Sequence, residues 1–235
     1  MGRFEDLIKQ AIQAITDIRV EENKFMQFVM SCNIGPGDKI LEVGCGFGNK
    51  LKLVMGLGLN IIGVEINPTI VEENKREGLV CLTSEEFNEL NEHYDLMIMS
   101  HIIEHFTPSD LIKFMDNYLD RLKNNGYLII ITPLLSKLFY DDYDHIKPYQ
   151  PKGISMVFGK GNAQVQYYAR NSLELIDIWF RREPFMVNYY AGVYLKKYSR
   201  FPKLVNIVLA LIYRISFGLI GRTNGWMGLY KKISG

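Results

Sequence analysis

Five short apolar runs, each closed off by turn residues, do most to limit how this chain can fold. "KILEVG" covers Lys39 to Gly44, "NIIGVEI" Asn60 to Ile66, "LVCL" Leu79 to Leu82, "YDLMIMS" Tyr94 to Ser100 and "GYLIIITP" Gly126 to Pro133. Runs this short and this continuously apolar predict strands buried on both faces. Amphipathic helical stretches separate most of them. The clearest is "TPSDLIKFMDNYLDRLKNNG": Thr107 stands as N-cap, Pro108 at the first helical position, Asp110 at the third, and "NNG" supplies a left-handed stop. This alternation predicts a doubly wound α/β fold, a parallel sheet with helices on both faces. Its ligands bind at the carboxyl ends of the strands.

The flanks read differently. Residues 1–34 predict a helical cap. Leu7, Ile8, Ala11, Ile12, Ile15 and Ile18 share one helical face, and a second helix near Glu21 to Cys32 buries Phe25, Phe28 and Val29. Residues 35–133 hold the strand–helix core. In residues 134–235, "AQVQYYAR" and "LELIDIWFRR" read as strands, Tyr190 to Ile220 as largely helical, and "GWMGLYKKI" as a final strand. A length of 235 residues suits one domain over 1–235. The three cysteines, Cys32, Cys45 and Cys81, form no C-x-x-C and predict a reduced, cytoplasmic setting; the first residues carry no secretory signal.

A net charge of +1 hides a marked asymmetry: residues 184–235 contain eight bases and no acid, while all 26 acids lie before them. Such a tail suits an anionic partner, a membrane surface, or packing on an acidic body. Within it "LVNIVLALIYRISFGLI", Leu204 to Ile220, is interrupted by Asn206, Arg214 and Ser216. A spanning helix needs about 20 apolar residues without a central arginine. The segment therefore predicts a core or lid helix over about 190–220. The competing reading is an interfacial helix flanked by Lys196, Lys197, Arg200 and Lys203.

The first strand runs into "EVGCGFGNK", where Gly44, Gly46 and Gly48 alternate. Glycines here allow a sharp turn and close approach of backbone to a ligand, and the helix behind them offers N–H groups to a carboxylate. Glu65 closes the second strand, where a carboxylate accepts hydrogen bonds from ribose hydroxyls. Asn49 stands where a dinucleotide fingerprint wants its third glycine, which weakens a nicotinamide reading, and no phosphate-loop motif is present.

"ILEVGCGFGNK", "GVEINP", "YDLMIMSHIIEHF" and "LKNNGYLIIITP", in that order, resemble the four motifs of the class I S-adenosylmethionine-dependent methyltransferases. The resemblance covers Lys39 to Pro133 and implies a seven-stranded Rossmann-like sheet with a helical insertion before the last strand. It implies S-adenosyl-L-methionine as cofactor, with Glu42, Gly44, Cys45, Gly46 and Gly48 around its methionine end. Glu65 would hold the ribose and Ile66 lie beneath the adenine. Thr83, Ser84 or Glu85 would stand near the adenine amino group, and Ser100 and His101 would line the cofactor.

Methyl transfer chiefly needs alignment and exclusion of water, and an oxygen acceptor also needs a base. His101, His105 and His145 fall in the loops after the fourth and fifth strands, whereas His93 precedes the fourth strand. His145, in "DYDHIKPYQP", is the leading candidate for base or acceptor-orienting residue, with Asp141, Asp142 and Asp144 at hand to set its tautomer. His101 and Glu104 are the other catalytic candidates. His105 resembles the loop-supporting histidine of the family's "EH" pair. Some quinone-modifying relatives bind a divalent metal there, with His101 here in place of an acid; no metal ligand is assigned on sequence.

"HIIEH", His101 to His105, matches a zinc-protease string. That site needs both histidines on one helix, and here the first follows a buried strand directly. The resulting expectation is O-methylation of a small molecule or of a glycan or lipid-linked sugar precursor. The basic tail would form a lid over the acceptor or touch a membrane surface, with oligomerisation left open. The alternative is a non-catalytic cofactor-binding or membrane-docking module of the same fold. An acidic body and the lack of an N/D-P-P-Y motif argue against nucleic acid.

Overall fold

The structure, a computed structural model, describes residues 20–161, 163–187 and 200–233. In chain order the described elements are α1 (Val20–Ser31), β1 (Ile40–Val43), α2 (Asn49–Met55), β2 (Ile61–Val64), α3 (Pro68–Arg76) and β3 (Cys81–Leu82). Next come α4 (Ser84–Glu89), β4 (Tyr94–Ser100), α5 (Pro108–Leu119), β5 (Leu122–Pro133) and α6 (Pro151–Phe158). The series ends with β6 (Ser172–Glu183), α7 (Arg200–Ile215) and β7 (Arg222–Ile233). The expected helical face of Leu7 to Ile18, Lys196 and Lys197 lie outside the described residues.

The strands form one seven-stranded sheet in the order β3-β2-β1-β4-β5-β7-β6. β1 to β5 pair in parallel, and β7 is antiparallel to β5 from Tyr127↔Lys231 to Pro133↔Gly225. This is the expected doubly wound, Rossmann-like architecture. Chain order reverses between β1 and β4, so their carboxyl ends flank the crevice where such sheets bind ligands.

The central strands are largely apolar because each face meets helices. Leu96, Ile98, Ile129 and Ile131 pack with Phe25, Phe28, Leu51 and Val54 on one face. Met97, Met99, Leu128 and Ile130 pack with Leu111, Met115, Ile154 and Phe158 on the other. Lys232 has its stem in this core while its Nζ donates to the carbonyls of Leu119 and Leu122 at 2.6 and 2.9 Å. That places a cation on the end of α5, where the helix dipole is negative.

Two sequence expectations shift. The helix at Thr107 starts as expected, with Thr107 accepting from the Asp110 amide, but it ends at Leu119, before "NNG". Asn125 does take a left-handed conformation, φ 66, but within a bulge of β5. Tyr94 pairs with Leu122 and Leu96 already with Tyr127. "AQVQYYAR" is not a strand among its described residues. Asp116 holds the amides of Arg170 and Asn171 that follow, which satisfies them without a ladder. Besides these, the chain falls into two compact units. The larger holds Lys24–Trp179 and Gly225–Gly235, the smaller Met1–Asn23 and Phe180–Asn224. In the smaller unit Glu183 pairs with Arg222 and Asn224, and Arg181 with Glu21 and Asn224.

Candidate functional site

Gly44, Gly46 and Gly48 all have positive φ, at 65, 50 and 69°. Their surroundings separate their roles. A Cβ on Gly44 would lie 2.1 Å from Ile102, and one on Gly48 2.4 Å from Leu79, so packing forbids side chains there. A Cβ on Gly46 would meet nothing within 4 Å. Gly46 thus presents bare backbone to open space, as a ligand cradle requires.

The loop is tied down on several sides. The Gly44 and Cys45 amides donate to the Val64 carbonyl at 2.7 and 3.0 Å, and Asn74 Nδ2 donates to the Gly46 carbonyl at 2.7 Å. Cys45 Sγ lies 3.4 Å from Cys81 Sγ and is seated over Gly63, where a Cβ would come within 2.5 Å of it. All three cysteines are free thiols. The hydrogen bond to Cys81 and burial push the Cys45 thiol up, while that same bond brings Cys81 down to about 7. α2 is only seven residues long. A helix this short adds little dipole, and the Gly44, Cys45, Gly46 and Gly48 amides already donate to Val64, Glu65 and Cys45.

Glu65 is buried, and its two carboxylate oxygens accept from the Gly46 and Asn67 amides, both at 3.0 Å. Each oxygen retains a lone pair that suits a hydroxyl donor. Ile66 follows it at 84% exposure, an uncovered apolar platform of the kind a flat base covers. Glu42 is buried in β1 between Gly63 of β2 and Ile98 of β4. Burial raises its pKa to about 8 against the pull of Lys50 and the Leu51 amide. Its Oε2 has no hydrogen-bond partner among the described residues, and such an orphan suits a cationic donor such as an ammonium. These features fit a nucleoside carrying an amino-acid end.

Thr83 and Ser84 open α4, and Thr83 forms a capping box with Glu86 that commits its hydroxyl oxygen to the Glu86 amide. Glu85 lies in the same first turn. Ser100 ends β4, half-buried, at the edge beside the glycine loop.

After β4 the chain turns on His101, which holds φ 57. A left-handed non-glycine residue costs roughly 1–2 kcal/mol and occurs where surrounding structure enforces it. Here its amide is held by the Ile131 carbonyl at 2.8 Å, and its Nδ1 stands 3.2 Å from Glu104 Oε1. "IEH", Ile103–His105, is a single 3-10 turn. The protease geometry of two histidines one α-turn apart is therefore absent from this pentapeptide.

Glu104 is the centre of this side. Its side chain is fully buried, and Thr132 Oγ1 donates to Oε2 at 2.9 Å. Its carbonyl accepts from the Ile146 and Lys147 amides at 2.9 and 3.1 Å, which pins the loop after β5 onto the loop after β4. That loop brings His145, whose Nε2 lies 4.0 Å from Glu104 Oε1 and 3.7 Å from Asp142 Oδ2. Its Nδ1 is 2.6 Å from the Phe139 carbonyl, so Nδ1 carries the proton and Nε2 the free lone pair. The tautomer is thus set by a backbone carbonyl, not by Asp141, Asp142 or Asp144 as expected. His105 Nδ1 is likewise bound to the Asp144 carbonyl at 3.1 Å, which makes it a loop support. Glu104 Oε1 itself lacks a well-formed hydrogen bond. Ligand atoms of Glu104, His105 and His145 lie within 4.8 Å of one another, a set able to hold a metal ion, and His101 is not in it. His93 is exposed at the amino end of β4, on the far edge.

Sequence reading missed Thr132 and Asn74. "ITP" at the end of the fifth strand is the only signal for Thr132. Asn74 sits among the acids and bases of α3 and carries none.

A family model described as a methyltransferase domain matches residues 13–198. The ubiquinone biosynthesis O-methyltransferase of Bradyrhizobium diazoefficiens is 27% identical over 117 residues, 46% of this chain and 45% of that protein. The mitochondrial ubiquinone biosynthesis O-methyltransferase of Homo sapiens is 31% identical over 116 residues, 44% of this chain and 31% of that protein. The chain therefore spans less than half the length of these curated relatives. A SAM-dependent methyltransferase from Archaeoglobus fulgidus shares the fold at a TM-score of 0.59 and 19% identity, over 91% of this chain and 94% of that one. One from Clostridium acetobutylicum does so at a TM-score of 0.56 and 16% identity, over 100% of this chain and 99% of that one.

Proposed function

The chain belongs to the methyltransferase domain family, and from that premise we propose that it moves the methyl group of S-adenosylmethionine onto a hydroxyl of a small molecule. When bound, the cofactor supplies a methyl carbon already activated by its sulfonium. The protein then has to hold both partners in line and receive the acceptor's proton. Glu65 and the glycine loop hold the donor. His145, with Nε2 unprotonated and Nδ1 tied to Phe139, receives the proton, and buried Glu104 stabilises the imidazolium that forms. The observation that carries this reading is the fixed tautomer of His145 beside a fully buried carboxylate.

A phenol ionises far more readily than a sugar hydroxyl, so an imidazole base favours an aromatic acceptor. The curated relatives are named as O-methyltransferases of ubiquinone biosynthesis, which supports an oxygen acceptor. Titration calorimetry should show heat of S-adenosylmethionine binding; none at millimolar cofactor overturns the reading. Product analysis with a dihydroxylated aromatic and with a monosaccharide then separates the acceptor classes. His145→Ala should keep cofactor binding and lose turnover, and full activity would remove the base assignment.

A second reading has its own support. Glu104 Oε1 is buried without a hydrogen bond, and two imidazoles face it with their Nδ1 atoms bound to carbonyls. Carbonyl-fixed Nδ1 atoms are how metal-ligating histidines are oriented. In this reading Glu104, His105 and His145 would hold a divalent cation, which would supply Lewis-acid activation of the acceptor hydroxyl. Metal content after dialysis against a chelator decides it: activity unchanged in metal-free protein supports the base, and activity restored by one added cation supports the metal.

A further inference from the structure

Cys45 and Cys81 meet near the edge of the sheet. Their Sγ atoms lie 3.4 Å apart, and both residues are free thiols. Cys81 stands in β3 as the register partner of Gly63 in β2, and register partners of a parallel pair point to the same face. Cys45 packs over Gly63 on that face, so the loop after β1 lays its sulfur against the sulfur of the edge strand. A disulfide needs about 2.05 Å between its sulfurs, so an approach of roughly 1.4 Å separates the thiol pair from the bonded one.

The pair is polarised. The hydrogen bond from Cys45 brings the Cys81 thiol down to about 7 against its burial, and Asn74 Nδ2, 3.6 Å from Cys81 Sγ, adds to the effect. Cys81 is therefore the thiolate of the pair near neutral pH, while Cys45 keeps its proton. Cys32 differs: burial pushes it up to about 12, and its thiol donates to the Phe28 carbonyl at 3.1 Å. Cys45 and Cys81 are 7% and 1% exposed, which bars bulky reagents, but the space beside neighbouring Gly46 is open and admits a molecule near the size of water. The amide beside both sulfurs also holds the loop. Asn74 Nδ2 donates to the Gly46 carbonyl at 2.7 Å, and the Gly46 amide donates to Glu65 at 3.0 Å. Drawing Cys45 toward β3 moves the peptide that it shares with Gly46, and both of those bonds with it.

We propose that Cys45 and Cys81 form a reversible disulfide under hydrogen peroxide, and that this bond draws the glycine loop out of its donor-binding geometry. The Cys81 thiolate attacks one peroxide oxygen, the O–O bond breaks, and the departing hydroxide takes a proton from solvent to leave as water. Cys45 Sγ then attacks the sulfenic sulfur; its proton goes to the departing hydroxyl, the S–O bond breaks, and a second water leaves. Two thiols are oxidised and one peroxide is reduced to two waters. A dithiol reductant reverses the bond by exchange. The effect on the donor rests on the glycine loop holding S-adenosylmethionine, whereas formation of the bond does not.

Tryptic mapping of the full chain tests the bond without any variant, because each cysteine falls on its own fragment: residues 25–39, 40–50 and 77–113. After hydrogen peroxide and then an alkylating reagent in denaturant, the expected product is 40–50 joined to 77–113, with 25–39 alkylated. Calorimetry on the same samples should show S-adenosylmethionine bound about ten-fold more weakly after peroxide, with affinity restored by dithiothreitol. Dithiothreitol leaves methionine sulfoxide in place, so the reversal assigns the loss to thiols. Cys81→Ala should bind the cofactor like the parent and keep its affinity through peroxide. A map without the 40–50 to 77–113 link, unchanged affinity of the linked protein, or an equal loss in Cys81→Ala would overturn the proposal. No heat from the reduced protein would remove the donor reading and the effect on it together, while the map still decides the bond.

Discussion

β1 and β4 lie side by side, and the loops that follow their carboxyl ends are constructed by different means. Beyond β1 and β2 the surface is mostly main chain: three left-handed glycines, and one carboxylate held by the Gly46 and Asn67 amides. Beyond β4 and β5 it is mostly side chain: a buried glutamate with a threonine on one oxygen and imidazoles near the other, those of His105 and His145 set by carbonyls. The first kind of surface tolerates few residue types, because geometry admits only glycine. The second can change its chemistry by exchanging a side chain while the turn survives. A common donor held by invariant geometry and a variable acceptor met by exchangeable groups would require this division.

The largest test of the division is Glu104→Gln. The isostere keeps an acceptor for Thr132 and removes the charge behind His145. Turnover should fall by about 10³, within the range for losing acid–base function, while the cofactor dissociation constant stays within a factor of two. A parallel loss of cofactor affinity would show that the two sides are one network.

Next is pH. Glu42 is ordinary at 4.5 and is raised to about 8 in the fold, so between those values the native state keeps a proton that the unfolded chain releases. Stability therefore falls as pH rises through that window, by at most about 4 kcal/mol. Urea midpoints of the cofactor-free protein at pH 5 and pH 8 should show the decline, and Glu42→Gln should flatten it. A decline that survives in the variant would place its source elsewhere.

Glu65→Ala should weaken S-adenosylmethionine binding by about 10²-fold, since it removes a charged acceptor and releases two amides, with turnover at saturating cofactor changed little. Calorimetry and steady-state rates read the two halves separately. The smallest effect belongs to His101→Gly. Relief of its left-handed strain, less the entropy glycine adds to the unfolded chain, should raise stability by about 0.5 kcal/mol in a denaturant titration.

The same division explains what could be read without coordinates. The placement of Gly44, Gly46, Gly48 and Glu65 after β1 and β2 was legible because it follows from spacing along consecutive strands and turns. The sheet was legible for the same reason, since continuous apolar runs have few alternatives. His145 was legible as a candidate because it falls in the loop after the fifth strand. Its tautomer was not, because it depends on the carbonyl of Phe139, and every residue has a carbonyl. The capping role of Thr83 was not legible, because an acceptor near a ligand and a helix cap use the same hydroxyl. "NNG" was misplaced because a left-handed asparagine serves a bulge as well as a helix end.

Gly63 sits within β2, in the sheet rather than in the glycine loop. Its missing side chain is the hollow into which Cys45 Sγ drops, so the height of the loop above the sheet is decided one layer below. An alanine there would act as a shim. Every amide from Gly44 to Gly46 would ride up on Cys45, and a methyl group in a buried strand would retune donor affinity without altering any residue the donor meets. Searches for variants of altered cofactor preference should therefore include the floor under the cradle, where a single carbon sets the level of the whole rim.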